Sequence, residues 1–259
     1  DDGPVDATHF RELDTVLDTA PAGAVVAVER GHYGLRSPRP LSRHLRVVGR
    51  CATEVVVAAA PSSTPVLAVG SGGLLTLSGL TLDGLEPGLK VRGGGSAVIE
   101  AVAVRNSRKY GVQVFGGGSS FVARHSLVSD TSPSSATDEY GWGVAFDDGA
   151  TGQLEDVVLL RNQGYGATVQ GLGTALTLTR VIVRGTMPAP ADGFGGGVIV
   201  NDHASLLVSS SVFANNHDVN VALWAGAAAV VESSVMESLE VAREAGGQAR
   251  VRFNVDVET

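Results

Sequence analysis

Apolar and polar residues alternate in short blocks that recur along the chain. Each block ends in a segment of period-two alternation, closed by a polar residue or a glycine. Val and Leu dominate the alternating positions, which favours β-strands over helices. The pattern therefore predicts a stack of equivalent strands rather than a helical repeat. The seven copies are Leu80–Gly84, Val102–Asn106, Ser126–Asp130, Val158–Asn162, Val181–Gly185, Ser211–Asn215 and Ser234–Ser238.

The spacing of the copies predicts a solenoid with a nearly constant coil. Their closing positions are 84, 106, 130, 162, 185, 215 and 238, which gives steps of 22, 24, 32, 23, 30 and 23 residues. Because the stretch from the preceding Gly-led strand to the closing residue stays at 17 or 18 residues, the extra residues enter at one corner only. They form two insertions, Ser132–Tyr140 and Thr186–Phe194. In this register Asn162 is a corner residue, and Arg161 aligns with Arg184.

Both ends of the solenoid are predicted from local patterns. Residues Thr8–Ala20 place apolar side chains at helical spacing and precede Pro21, so residues 1–23 are predicted as a capping segment with a short helix. Residues 24–259 are predicted as about 9–10 coils. The run Ala249–Val257 alternates strictly with its charges outward, as a protected edge strand does.

Composition and charge exclude several functional classes. The 19 basic and 27 acidic residues give a net charge of -8, so no nucleic-acid partner is expected. No apolar run approaches the roughly 20 residues that span a bilayer, so no membrane insertion is expected. The single cysteine, Cys51, cannot form a disulfide within the chain and is predicted to be a small buried residue.

The order of these elements resembles a known superfamily. A capping helix, then the valine run, glycine and aromatic residue of Ala24–Tyr33, then the coil repeats, are similar to the pectate-lyase-like right-handed parallel β-helix proteins. The resemblance implies an all-β fold and an extracellular, periplasmic or cell-surface location. No signal peptide is visible at Asp1, which is expected equally of a mature secreted protein, a cytosolic protein and an excised domain. The resemblance specifies no activity, because lyases, hydrolases, epimerases, adhesins and tailspikes share the fold.

Candidate binding residues follow from the two insertions. With one ordinary coil between them, both insertions are expected to rise from the same edge, roughly 10 Å apart. Loops on a rigid scaffold often carry function, and aromatic rings in a row suit both sugar faces and one another. The insertions pair Asp138 with Asp192 and Tyr140 with Phe194, and the alignment stacks Tyr110, Trp142 and Tyr165 beside them.

A second candidate cluster lies at the next corner and consists of Asp147, Asp148, Asp202 and His203. Paired carboxylates are the groups that glycoside hydrolysis requires, and the three aspartates are also the oxygen ligands that Ca²⁺ prefers. Asp residues are equally favoured at corners for their turn geometry. No other metal or cofactor is indicated. Of the motifs known in polygalacturonase-like members of the superfamily, only Asp147-Asp148 has a match.

Three functions stay open at this point. The first is a secreted or surface module, without catalysis, that binds a polysaccharide or a surface protein along the edge of the insertions. The second is a polysaccharide lyase or glycoside hydrolase that uses the aspartate cluster. The third is a structural segment of a longer protein. Oligomeric state, substrate and partner are not determined by the sequence.

Overall fold

The computed structural model describes residues 13–35, 40–59, 65, 67–84, 87–134, 140–191, 193–236 and 248–251, and these form one helix and 26 strands. The first part of the chain holds α1 (Leu13–Thr19), β1 (Ala24–Val28), β2 (Gly31–Leu35), β3 (His44–Gly49), β4 (Val55–Ala59), β5 (Leu67–Val69), β6 (Leu74–Ser78), β7 (Thr81–Asp83) and β8 (Leu89–Arg92). The middle part holds β9 (Ser96–Glu100), β10 (Ala103–Arg105), β11 (Tyr110–Phe115), β12 (Ser120–Arg124), β13 (Leu127–Ser129), β14 (Trp142–Asp147), β15 (Thr151–Glu155), β16 (Val158–Leu160), β17 (Tyr165–Gln170) and β18 (Ala175–Thr179). The last part holds β19 (Ile182–Arg184), β20 (Gly196–Asn201), β21 (Ser205–Ser209), β22 (Val212–Ala214), β23 (Val219–Leu223), β24 (Ala228–Glu232), β25 (Val235–Met236) and β26 (Gln248–Val251).

The strands stack into three parallel sheets, as the repeat predicts. Sheet one contains ten strands from β1 to β26, sheet two contains nine from β2 to β25, and sheet three contains seven from β5 to β23. Each coil passes from sheet one to sheet two to sheet three, and each strand pairs in parallel with its equivalent in the next coil. The predicted all-β parallel β-helix of about 9–10 coils is thereby confirmed.

The three sheets enclose one continuous core. Alternate residues of each strand point inward, so leucine, valine and phenylalanine side chains stack coil upon coil. Phe121, Phe146 and Phe213 are the largest fully buried side chains. The outward positions carry most of the charge, so the hydrophobic pattern along the sequence is also the pattern of burial.

Sharp corners separate the sheets, and residues with left-handed backbone conformation form them. Asn106 (φ 54°), Asp130 (φ 57°) and Arg161 (φ 50°) occupy equivalent corners after sheet two. The sequence register is therefore wrong by one residue in the coil of β16. Leu160 pairs with Arg184, so Arg161 does not align with Arg184. Arg161 occupies the corner and its guanidinium pairs with Asp130 in the preceding coil, while the side chain of Asn162 lies in the interior.

The helix α1 covers the N-terminal end of the core. Leu13 and Leu17 are buried in it, and the chain turns at Pro21 as predicted. The guanidinium of Arg43 donates hydrogen bonds to the carbonyls of Leu17 and, at 2.7 Å, Ala20, which are otherwise unsatisfied at the helix end. The predicted helix start at Thr8 lies outside the described residues. The division into residues 1–23 and 24–259 stays a prediction.

Two smaller predictions are wrong. Cys51 is exposed rather than buried, because it opens the turn after β3, where its Sγ lies 3.2 Å from Thr53 Oγ1. The sequence alignment also predicts an outward charge ladder of Glu100, Arg124 and Asp156, but Arg124 pairs with Glu155, and Asp156 lies one residue later in the corner. Among the described residues, no helix combines the length and hydrophobicity that a membrane crossing needs.

Candidate functional site

The outward side of sheet three, called here the sheet-three face, differs from an ordinary solvated surface. Val144 and Phe146 of β14 point into the core, so Ala145 between them points outward. Ala145 is nevertheless 0% exposed, and its equivalents Thr168 and Ala222 are 2% exposed. Side chains on either side of this middle column therefore cover it.

A second apolar cluster, separate from the core, lies on this face. Tyr165, Ile199 and Ala222 are its buried members, and Trp142, Val219 and Trp224 pack against them. An apolar cluster outside the core of a solenoid is unusual, because an outward strand face normally carries polar residues. The cluster makes the sheet-three face the candidate site.

Four aromatic residues form one margin of the face, called here the aromatic edge: Tyr110, Tyr140, Trp142 and Tyr165. Tyr110 pairs in register with Trp142, as the alignment predicts. The Trp142 ring centroid lies 4.9 Å from that of Tyr140, 5.6 Å from that of Tyr110 and 6.4 Å from that of Tyr165, with steep interplanar angles. Such tilted contacts are the preferred packing of aromatic rings.

The members of the aromatic edge differ in exposure. Tyr110 and Tyr165 are only 7% and 8% exposed, so they support the neighbouring rings. Tyr140 and Trp142 are partly exposed and present the ring surface that a ligand can reach. The sequence therefore places Tyr165 correctly on the edge, but its ring faces other protein groups more than solvent.

The backbone of the aromatic edge is held in an uncommon conformation. Lys109 (φ 67°) and Tyr140 (φ 73°) both adopt left-handed backbone angles, which bulky residues rarely do. The Lys109 Nζ lies 4.6 Å from the ring centroid of Tyr140 and 5.4 Å from that of Tyr110. These cation–π contacts and the ring packing offset the backbone cost, which is of order 1–3 kcal/mol per residue.

The two insertions begin beside the aromatic edge. Phe194 is 53% exposed, and its carbonyl accepts a hydrogen bond of 2.8 Å from the Ala189 amide, within the second insertion. Phe194 thus presents an aromatic surface near the same corner. Asp138 and Asp192, predicted as binding residues, lie outside the described residues.

The opposite margin of the face carries the predicted aspartates. Asp147 ends β14 and lies in register between Phe115 and Gln170, with Asp148 next to it at the corner. Asp148 adopts a left-handed conformation (φ 55°), so its side chain and that of Asp147 leave the strand in different directions. The two carboxyls form a pair, and Asp147 is the less exposed member.

Asp147 has an unusual proton affinity for a carboxyl. Its burial, and to a smaller extent the neighbouring Asp148 carboxylate, raise the pKa of Asp147 to about 6. Among the described residues no cation pairs with it, which distinguishes this corner from the corner between sheets one and two. There Arg180 binds Glu155 and Asp156 at 2.6 and 2.8 Å and holds the pKa of both carboxyls low.

Asp202 and His203 lie two coils further along the same margin. Gln170 lies in the intervening coil, and its side-chain Nε2 donates a hydrogen bond of 3.4 Å to Asp202 Oδ2. The His203 ring packs over the corner of the following coil, where a Cβ on Gly226 would lie 2.4 Å from Nδ1. Asp148 and Asp202 occupy equivalent corners, and two coil spacings separate them by roughly 10 Å. Across the described residues, no three acidic, histidine or cysteine side chains form a group that could hold a metal ion.

One polar atom on the face lacks a partner. The Thr168 Oγ1 is buried and accepts or donates no hydrogen bond within the described chain. Thr168 lies between Ala145 and Ile199 in the middle column, two residues before Gln170. A buried hydroxyl without a partner is uncommon and marks a position where a ligand or a water molecule can supply one.

Comparison with known protein families now identifies the fold family. The model of the right-handed β-helix region matches residues 66–235, which is more than half of the chain. The chain belongs to the right-handed β-helix family. The matched region of this β-helix contains the whole aromatic edge and the Asp147–Asp148 corner. A search of the curated proteins finds no match.

Solved structures share the same architecture at low sequence identity. The pectate lyase Pel9A superposes with a TM-score of 0.62 and 11% identity over 92% of this chain and 73% of its own. A pectin methylesterase from carrot gives 0.55 and 12% identity over 94% and 84%. An alginate lyase from Paenibacillus sp. gives 0.50 and 12% identity over 92% and 96%. At these identities the likeness shows the β-helix fold alone.

Three residues of the site were not found from the sequence. Lys109 and Thr168 have no motif around them, and their roles depend on contacts with neighbouring coils. Trp224 follows β23 and packs against the outer cluster, and the strand register places it beside Asn201. The strand alignment carries this signal, since it places one of only two tryptophans on the margin of the aspartates.

Proposed function

We propose that this β-helix is a secreted or cell-surface module that binds a polysaccharide along the sheet-three face. The observation that carries the proposal is the partly exposed pair Tyr140 and Trp142, held by the buried rings of Tyr110 and Tyr165. Rigid aromatic rings at the surface suit the apolar faces of sugar rings, since they lose little conformational freedom on binding.

Three further features support a ligand site at this place. The contact between Lys109 Nζ and the Tyr140 ring holds the exposed rings in a fixed position. The Thr168 hydroxyl and the Asp147 carboxyl are polar groups on the same face without partners among the described residues. The distance between the two margins, five residue steps along the extended strand from Trp142 to Asp147, is roughly 16 Å, which suits a saccharide chain.

The location is inferred from fold and composition. Solved neighbours are named as enzymes of pectin and alginate, which are extracellular polymers. A polysaccharide-binding module would meet such a ligand outside the cell. Detection of the natural protein in the culture supernatant or on the cell surface, rather than in the lysate alone, tests this location.

Affinity electrophoresis against a panel of soluble polysaccharides tests the binding. Trp142→Ala should weaken binding about five- to thirtyfold, because one stacked aromatic contributes about 1–2 kcal/mol. Trp142→Phe should retain most of it. Val25→Ala removes an exposed apolar side chain on sheet one and serves as the control that should bind like the original protein. Unchanged binding by Trp142→Ala would contradict the proposal.

A second candidate function is polysaccharide cleavage, and Asp147 favours it. A carboxyl with a pKa of about 6 next to the carboxylate of Asp148 has the proton affinity of a general acid. Release of reducing sugar detects hydrolysis, and absorbance at 235 nm with uronic-acid polymers detects lyase activity. Turnover that Asp147→Asn abolishes while binding persists would establish an enzyme in place of a binding module.

A further inference from the structure

Charges on the sheet-three face are separated along the solenoid axis. The coils of β8 and β11 present the cations Lys90, Arg92, Arg108 and Lys109 on the face and its two corners. In the next coils, from β14 to β20, the one described lysine or arginine at the face and its corners is Arg161, which is paired with Asp130 at the corner after sheet two, and the other described acids are Asp147, Asp148 and Asp202. The acidic half coincides with the partly exposed ring of Trp142 and with the unpartnered Thr168 hydroxyl.

The charges around Asp147 determine whether the acidic half attracts or repels a charged ligand. Its register neighbours Phe115 and Gln170 are uncharged, and Asp148 follows it in the chain. Arg92 lies two coils before it and Asp202 two coils after it, each roughly 10 Å away. Lys109 is engaged with the rings of Tyr110 and Tyr140. A ligand carboxylate placed here would meet two carboxylates and no neighbouring cation.

We infer that the acidic half of the face selects uncharged polysaccharides and excludes uronic-acid polymers, with Asp147 and Asp148 as the specificity-determining residues. This inference rests on the proposed function. Carboxylate oxygens accept hydrogen bonds from sugar hydroxyls, and such charge-assisted bonds are strong. The same oxygens repel the carboxylate that every residue of a uronic-acid polymer carries, and like charges placed together cost several kcal/mol. The buried Thr168 hydroxyl, which has no partner among the described residues, would become a further partner for a neutral sugar if the side chains that cover the middle column moved aside on binding.

The test compares neutral glycans such as laminarin, dextran and galactomannan with polygalacturonate and alginate in isothermal titration calorimetry at pH 7.5. At least one neutral glycan should bind about tenfold or more tightly than either uronic-acid polymer. The double variant Asp147→Asn, Asp148→Asn should narrow the difference, weakening the neutral glycan and strengthening the uronic-acid polymers. Glu100→Gln removes an equivalent charge on sheet one and should change neither affinity beyond about twofold.

Two measurements on the unaltered protein keep the inference testable if the double variant does not fold. Lowering the pH from 7.5 to 5 protonates Asp147 while the ligand carboxylates stay ionised, so binding of a uronic-acid polymer should strengthen. Added salt should also strengthen it, because salt screens repulsion. Tighter binding of a uronic-acid polymer that salt weakens would overturn the inference and leave the proposed function intact. Binding of no polysaccharide at all would overturn the proposed function itself.

Discussion

The Asn162 side chain is bound to the backbone of Thr131, one coil earlier, inside the corner between sheets two and three. Asn162 Oδ1 accepts a hydrogen bond of 3.1 Å from the Thr131 amide, and its Nδ2 donates one of 3.3 Å to the Val128 carbonyl. Asn162 is 1% exposed, so no water competes for these bonds. The residue therefore joins two successive coils at the corner that lies beneath the aromatic edge.

Replacement of Asn162 by Ala should destabilise the fold by about 2 kcal/mol or more. The substitution leaves the Thr131 amide and the Val128 carbonyl buried without partners, and each such group costs about 1–3 kcal/mol. Chemical denaturation measures the change. Gln153→Ala, at an exposed position of β15, is the matched control and should stay within about 0.5 kcal/mol. Equal effects of the two variants would refute the structural role of Asn162.

The second prediction concerns Gly152, a glycine that faces the core. Gly152 lies in register between Phe121 and Leu176, where the Phe146 ring fills the space that a side chain would need. A Cβ on Gly152 would lie 2.3 Å from Phe146 Cζ and 2.8 Å from Leu176 Cδ1. Gly152→Ala should therefore destabilise by about 1–3 kcal/mol through overpacking.

Gly34 provides the control for Gly152. It also lies within a strand, but a Cβ there would meet nothing within 4 Å. Gly34→Ala should be neutral or slightly stabilising, because alanine has less conformational freedom to lose on folding. Thermal unfolding of the two variants side by side separates overpacking from a general effect of glycine substitution.

The strands and the corner at Asn162 also show how much of this structure the sequence alone can predict. The alternation of apolar residues and the 23-residue period locate the strands, the corners and the aromatic stack of Tyr110 and Trp142, because those features are local or periodic. The choice between Arg161 and Asn162 for the corner is not local. Both are polar, and contacts with the preceding coil distinguish them: Asn162 is buried and bonded to the backbone of that coil, whereas Arg161 lies outside and pairs with Asp130.

The candidate site was predictable to a similar degree. The Asp147–Asp148 pair is visible in the sequence, but the high pKa of Asp147 arises from burial by side chains of other coils. Lys109 lies over the Tyr140 ring, and the first insertion separates the two residues along the chain, so the regular coil spacing does not indicate their contact. Sequence patterns thus predict which residues lie on the sheet-three face. The pKa of Asp147 and the contacts of Lys109 depend on packing between coils, which the sequence pattern does not reveal.

The helix cap gives a third prediction. The Arg43 guanidinium binds the carbonyls of Leu17 and Ala20. Because Arg43 directly precedes β3, it anchors the C-terminal end of α1 to that strand. Arg43→Met keeps much of the aliphatic stem and removes both bonds, and should cost about 1–2 kcal/mol. Hydrogen exchange should show faster exchange of the α1 amides and unchanged exchange in β14 and β17. Protection of α1 at its original level would mean that burial of Leu13 and Leu17 alone holds the helix.

The protonation of Asp147 should set a pH dependence of stability. Its pKa is raised from an ordinary value near 4 to about 6 in the folded chain, so between these values the folded state binds more protons than the unfolded state. Stability contributed by this group is therefore fully present below about pH 4 and falls as the pH rises through 6. Asp147→Asn removes the buried charge and should be more stable than the original protein at pH 8 by about 1–2 kcal/mol, a figure reduced for partial exposure to solvent. At pH 4 the two proteins should have nearly equal stability.

Urea unfolding at both pH values measures the difference, and Asp148→Asn, at the exposed neighbouring position, should show a smaller gain. A gain for Asp147→Asn that is the same at pH 4 and pH 8 would place its origin outside the ionisation of this carboxyl.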